Sequence, residues 1–223
     1  MENCKSAPTP IDAGTKLRSN SISEKFDGTL YRKLVGSLLY LTATRPDIAY
    51  AVGMVSRFMS DPHLEHWNAA KRILRYIKGT YNLGLEYQNG GNVQLAGYTD
   101  SDWAGDIDDR KSTSGYIFYL DLGAISWSSK KQATISLSST DAEYKGATLA
   151  TQEATWLRGI LAELNHPQTE ATTIYCDNQS TIQLTKNPVF HARTKHIEIH
   201  HHYVREKTQK DNIIDLDFMS RTK

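Results

Sequence analysis

Val93-Gln94-Leu95-Ala96-Gly97-Tyr98-Thr99-Asp100 places Val93, Leu95 and Gly97 at every second position and closes on a carboxylate. A period of two marks a strand with one buried face, which predicts a strand over 93–99 with Asp100 where it runs out. Thr172-Thr173-Ile174-Tyr175-Cys176-Asp177 is a second, shorter apolar run that also ends on an acid. Between them a helical period predicts a long helix over about 141–164, with Ser138, Ser139 or Thr140 as N-cap and Glu143 in its first turn. Ligands dock at the C-terminal ends of strands in open sheets containing parallel strands. If the two strands are neighbours, Asp100 and Asp177 come within a few ångströms, and Glu143 completes an oxygen-only cluster. Mg²⁺ suits such donors, and two ions would clamp the attacking and leaving oxygens of a phosphoryl displacement. Spacing alone also fits solvated turn carboxylates and an acidic first helical turn favoured by the helix dipole.

The neighbouring segments extend this pattern. Leu83, Leu85 and Tyr87 alternate ahead of Gly90-Gly91, which predicts a strand paired with the 93–99 run as a hairpin. Strands are expected at 115–121, 124–128, 133–137 and 213–218, and helices at 178–184 and 195–207. Strands first, then helices alternating with strands, imply an α/β architecture: a mixed five-stranded sheet with helices packed on it. Upstream, Leu34, Leu38 and Leu41 recur at helical spacing. Pro46 opens a second helix, carrying Ile48, Val52, Val55 and Met59 on one face. A third carries Trp67, Ala70, Ile73, Leu74 and Ile77 inward and Lys71, Arg72, Arg75 and Lys78 outward, ending at Gly79. Residues 30–80 therefore read as a small all-helical unit with a basic rim, 81–223 as the sheet domain, and 1–29 as a linker or strap.

Composition narrows the classes. The chain has 223 residues, 39% hydrophobic and 23% charged, ordinary for a globular protein and unlike a disordered chain, a collagen or a coiled coil. No apolar stretch approaches the roughly 18 residues of a membrane span, and the start does not resemble a secretory signal. Two cysteines, Cys4 and Cys176, allow neither a disulfide framework nor paired-thiolate metal binding. The net charge of +1 hides an asymmetry: residues 1–90 hold 12 Lys/Arg against 8 Asp/Glu, the remainder 14 against 17. A basic front half suits phosphates. His196 and His200 lie four apart, followed by His201 and His202, yet no third ligand stands at zinc-site spacing. No glycine-rich phosphate loop is present.

Several blocks are recognisable as residues. Tyr98-Thr99-Asp100-Ser101-Asp102-Trp103-Ala104-Gly105, Arg110-Lys111-Ser112-Thr113-Ser114-Gly115-Tyr116, Ser126-Trp127-Ser128-Ser129-Lys130-Lys131-Gln132, Leu137-Ser138-Ser139-Thr140-Asp141-Ala142-Glu143-Tyr144, Tyr175-Cys176-Asp177-Asn178 and His191-Ala192-Arg193-Thr194-Lys195-His196-Ile197 follow one another in order. Together they resemble the ribonuclease H domain of copia-type retrotransposon Pol polyproteins. Tyr31–Leu41 and Thr44–Tyr50 resemble the region that joins reverse transcriptase to it.

The resemblance implies a ribonuclease H-like fold and an endonuclease that cuts the RNA strand of an RNA–DNA hybrid by two-metal hydrolysis. Asp100, Glu143 and Asp177 match the first three catalytic, metal-holding carboxylates, with Mg²⁺ as cofactor and Mn²⁺ as a substitute. Asp102 is a rival for the first place, and Asp100 is favoured because it ends the strand. In related integrases the Glu comes last, so Glu143 between two Asp points to the nuclease. Arg110, Lys111, Ser112, Lys130, Lys131, Asn178, Lys195 and His196 fall on the hybrid-binding side by the same analogy. The implied partners are an RNA–DNA hybrid and the reverse transcriptase part of Pol, with no membrane. The implied setting is cytoplasmic, in a virus-like particle, or nuclear, and not secreted. The family's fourth carboxylate follows its last strand, beyond where this chain stops, and Asp211, Asp215 and Asp217 are poor substitutes. Feeble cleavage is therefore expected, and the alternative reading is a catalytically silent nucleic-acid-binding remnant of the same Pol protein.

Overall fold

The computed structural model describes residues 3–88, 93–186 and 203–219. The chain separates into two units: Met1–Leu85 with Asp106–Arg110, and Glu86–Gly105 with Lys111–Lys223.

The first unit is helical. Helix α1 (Gly28–Leu41) starts at Asp27, whose carboxylate accepts hydrogen bonds from the Thr29 and Leu30 amides, satisfying two otherwise orphaned donors. A 3₁₀ turn at Pro46–Ile48 leads into α2 (Ala49–Ser56), and α3 covers Leu64–Gly79. Tyr31, Val35, Leu38, Ile48, Val52, Val55 and Ile73 fill the centre. The Tyr31 hydroxyl donates to the Val55 carbonyl at 2.7 Å. Burial holds that phenol well above its usual range. The polar start of the chain is a strap lying on these helices: Ile11, Leu17 and Phe26 pack against the core, the Ala7 amide donates to the Arg75 carbonyl at 3.2 Å, and Phe26 stacks on Trp67.

The second unit is the expected mixed sheet. Strands β1 (Leu95–Ser101), β2 (Thr113–Leu120), β3 (Gly123–Lys131), β4 (Thr172–Cys176) and β5 (Ile214–Phe218) lie in the order β3-β2-β1-β4-β5. The first three are antiparallel, and β4 runs parallel to both β1 and β5. Helix α4 (Ser139–Glu163) covers one face. Its inward stripe includes Ala142, Ala147, Ala150 and Ala154, small enough for close approach. A Cβ on Gly146 would stand 2.4 Å from Ser101 Oγ. Leu95, Phe118, Tyr144, Ile174 and Leu216 form the core beneath. Helix α5 (Gln179–Lys186) follows β4, and a wide helical turn at Glu206–Lys210 precedes β5.

Two expected strands are absent. Residues 82–88 form none, because Leu83 and Tyr87 are exposed and Tyr87 instead donates its hydroxyl to the Ala124 carbonyl. Residues 133–137 form none either. Strand β3 continues to Lys131, and the backbone then turns away with Ile135 and Leu137 exposed. Of the helix expected over 195–207, the described part is one turn at 203–205 that passes into the wide turn. Gly90-Gly91 lies outside the described residues.

Candidate metal centre

The β1–β4 pairing sets Thr99 beside Cys176, so Asp100 and Asp177, one residue further on, lie side by side at the C-terminal edge of adjacent parallel strands. Alternation turns Thr99 and Ser101 toward α4, where both are buried, and leaves Asp100 exposed on the opposite face. Asp177 is half-buried. Ser138 caps α4 by accepting from the Asp141 amide at 3.1 Å, and the Leu137 amide donates to the Asp141 carboxylate. This cap starts the helix at Ser139, so Glu143 stands at the beginning of the second turn instead of in the first.

Glu143, Cys176 and Asp177 come together: one ligand atom from each lies within 4.8 Å of the others. Asp100 stands outside this trio, near enough that its charge acts on the Cys176 thiol. The Cys176 thiol is pushed up to about 12, chiefly by burial and then by the negative charges of Glu143, Asp177 and Asp100. The carboxylate oxygens of Glu143 and Asp177 beside it are hard donors of the kind that suits Mg²⁺ or Mn²⁺.

Asp102 is committed elsewhere. Its Oδ1 accepts from the Thr113 amide at 2.6 Å while its own amide donates to the Thr113 carbonyl at 3.1 Å. That pair closes the β1–β2 end and leaves Asp100 as the candidate. In β5, Asp215 pairs with Lys186 at 3.6 Å and Asp217 accepts from the Phe218 amide.

The expected nucleic-acid contacts separate. Lys130 is exposed and Lys131 half-buried at the end of β3, opposite Ser114 and Thr113. Lys111 is half-buried in the sheet unit. Arg110 is exposed, has a left-handed backbone (φ 58°) and belongs to the helical unit. One assignment changes. Ser112 is fully buried and its hydroxyl accepts from the Ala104 amide, so it holds the loop instead of facing a ligand. The Asn178 side chain accepts from the Thr181 amide at 3.0 Å, capping α5. Lys195, His196 and His200–His202 lie outside the described residues. Behind Glu143 the structure adds buried polar side chains, Gln132 foremost, that lie within the recognisable blocks without any spacing that assigns them a role.

This strand order, with one long helix on the sheet and acids at the ends of the central strands, defines a ribonuclease H-like fold. The chain is 47% identical over 209 residues to the retrovirus-related Pol polyprotein from transposon RE1 of Arabidopsis thaliana, covering 94% of this chain and 14% of that protein. It is 46% identical over 220 residues to the corresponding polyprotein from transposon TNT 1-94 of Nicotiana tabacum, covering 96% and 16%. It belongs to the copia-type retrotransposon Pol polyproteins. The chain thus spans about a seventh of the length of these relatives. Among solved structures, the foamy viral protease-reverse transcriptase in complex with dsDNA shares the fold at a TM-score of 0.50 and 13% identity, over 92% of this chain and 40% of that one. No protein-family model matches the chain. Among the described residues, no helix is long and apolar enough to cross a membrane.

Proposed function

We propose that the sheet unit is the ribonuclease H of a copia-type Pol protein, hydrolysing the RNA strand of an RNA–DNA hybrid. The observation that carries this reading is the gathering of Glu143 and Asp177 around Cys176, with Asp100 following the strand residue paired to Cys176. Those three carboxylates would hold Mg²⁺, with Mn²⁺ as a substitute, in one- or two-ion form. When bound, the metal would supply charge neutralisation for the scissile phosphate and a water acidified enough to attack it. Glu143, buried in α4, sets the depth of the centre, while Asp100 and Asp177 set its width through the strand spacing. Lys111, Lys130 and Lys131 would contact phosphates, which position the hybrid without reading sequence. RNA is told from DNA by contacts to its 2′-hydroxyls. The reading carries with it a reverse transcriptase partner in the same Pol protein and a cytoplasmic, particle-borne or nuclear setting.

The test is cleavage of a labelled RNA–DNA hybrid, with duplex DNA as control. Wild type should cut the RNA strand with Mg²⁺ or Mn²⁺. Glu143→Gln should lose several kcal/mol of transition-state stabilisation, about 100-fold or more in rate. Unchanged cleavage by that variant would refute the site. Hybrid binding without cleavage in either metal would support the silent remnant.

A further inference from the structure

Helix α4, which delivers Glu143, is tied to the sheet by a chain of buried polar side chains that the proposed chemistry leaves without a role. Ser101 follows Asp100 directly, and its hydroxyl donates to Ser114 Oγ on β2 at 2.8 Å. Gln132, the first residue after β3, donates from Nε2 to the same oxygen at 2.8 Å. The same nitrogen donates to the carbonyl of Ala142, the residue before Glu143, at 3.0 Å. Its Oε1 accepts from Ser136 at 2.6 Å, and Lys145 on α4 reaches that serine at 3.1 Å. Ser101, Ser114, Gln132 and Ser136 are all buried.

A primary carboxamide meets this need in one flat group: two N–H donors point one way and an acceptor oxygen the other. Each of its partners is cut off from water, so losing the amide strands several polar groups at once. The network also crosses the narrowest approach of α4 to β1, where Gly146 lies against Ser101 with no space for a Cβ.

We propose that Gln132 is a positioning residue for Glu143. It fixes the start of α4 against the end of β1, and so sets the distance of the Glu143 carboxylate from Asp100 and Asp177. The proposal rests on the nuclease reading of the centre. Supporting partners of metal-holding groups characteristically tune affinity and activity by about 10–100-fold.

The experiment compares wild type, Gln132→Met and Gln132→Glu in the full chain. Three readouts are taken: amide exchange along α4, Mn²⁺ binding followed by water-proton relaxation, and hybrid cleavage. In Gln132→Met, exchange should speed up about tenfold over residues 139–146 and stay unchanged over 150–163. Its Mn²⁺ affinity and kcat should fall about 10–100-fold with KM for the hybrid unchanged. Gln132→Glu is the decisive arm. As a carboxylate it cannot donate to the Ala142 carbonyl, but as a carboxylic acid it can. Its cleavage relative to wild type should therefore recover as pH falls from 8 to 6 while its folded fraction, followed by near-UV circular dichroism at each pH, stays constant, which separates positioning from a pH-dependent loss of folding. Unchanged exchange over 139–146, or unchanged Mn²⁺ affinity and kcat, would overturn the proposal, as would a constant ratio of Gln132→Glu to wild type across pH. A wild-type chain that neither binds Mn²⁺ nor cuts would refute the nuclease reading instead. The exchange arm would then still decide whether Gln132 holds the turn that carries Glu143.

Discussion

Gly97→Ala tests how tightly the central strand is seated. Gly97 sits on β1, three residues before Asp100, and a Cβ there would lie 2.3 Å from Phe118 Cε1 and 2.6 Å from Cδ1. Carbon atoms settle at about 3.5–4.0 Å, so the ring would have to retreat by more than an ångström. Phe118 is fully buried in a core that includes Leu95, Tyr144 and Ile174, and close-packed interiors do not supply that space. Overpacking of this kind costs about 1–3 kcal/mol, and the depth of the overlap puts this case near the upper end. Alanine recovers about 0.5–1 kcal/mol of the entropy that glycine loses in a strand. The net expectation is a loss of about 2 kcal/mol. At about 1–3 kcal/mol per molar in urea, that lowers the unfolding midpoint by about 1 M.

The assay is urea unfolding in a Trp67→Phe background, so that fluorescence reports from the sheet unit. Phe118→Leu supplies the cross-check. It should cost stability alone yet restore part of it in Gly97→Ala, giving a coupling energy of about 1–3 kcal/mol. A Gly97→Ala protein as stable as wild type, or strictly additive effects in the double variant, would refute the close packing of β1 on Phe118.

Other outcomes follow from the same contacts. Mn²⁺ at about 100 times its Kd should stabilise the sheet unit by about 2.7 kcal/mol, visible as a higher Tm. Asp177→Asn should remove that rise without unfolding the chain, and an equal rise in the variant would exclude Asp177 as a ligand. His66 is fully buried, accepts the His63 amide on Nδ1 and stacks on Phe58, and burial lowers its pKa. The unfolded chain therefore takes up this proton first, so the helical unit should hold its stability above about pH 6.5 and lose it as pH falls below that, by at most about 1.4 kcal/mol per pH unit. A flat profile from pH 8 to 5 in Trp67 fluorescence unfolding would contradict this. Lys130→Ala with Lys131→Ala should reduce the salt slope of hybrid binding by about one per charge. An unchanged slope would remove the end of β3 from the interface.

Local pattern carried most of the architecture. The period-two run into Asp100, the short apolar run into Asp177 and the long helix between them all have their counterparts in β1, β4 and α4. What stayed hidden depends on neighbours far along the chain. Leu83, Leu85 and Tyr87 alternate as a strand would, but alternation supplies no partner, and Tyr87 is spent on a single bond to Ala124. Asp100 and Asp102 are indistinguishable by spacing. Only the register with β2 shows Asp102 consumed by Thr113. Gln132 reads as one more polar residue after two lysines, because its partners lie 18 residues back and 10 ahead. Ser112 falls within a conspicuous block because it closes a loop, a role that a motif does not separate from ligand contact.

The parallel seating of β4 against β1 has a consequence in time. Thr99 finds its partner at Cys176, across the whole of β2, β3 and α4, whereas β1, β2 and β3 can join as soon as each hairpin exists. Pairings of such wide separation close late, because the connecting chain must first be confined. On a ribosome, Asp100 and Glu143 leave the tunnel well before Asp177. The nascent sheet holds two of its acids on separate elements, with no third to gather them, until β4 slots in beside β1. Assembly of the acidic cluster is thus one of the last acts of folding, and a growing chain carries it incomplete for as long as synthesis of that strand is pending.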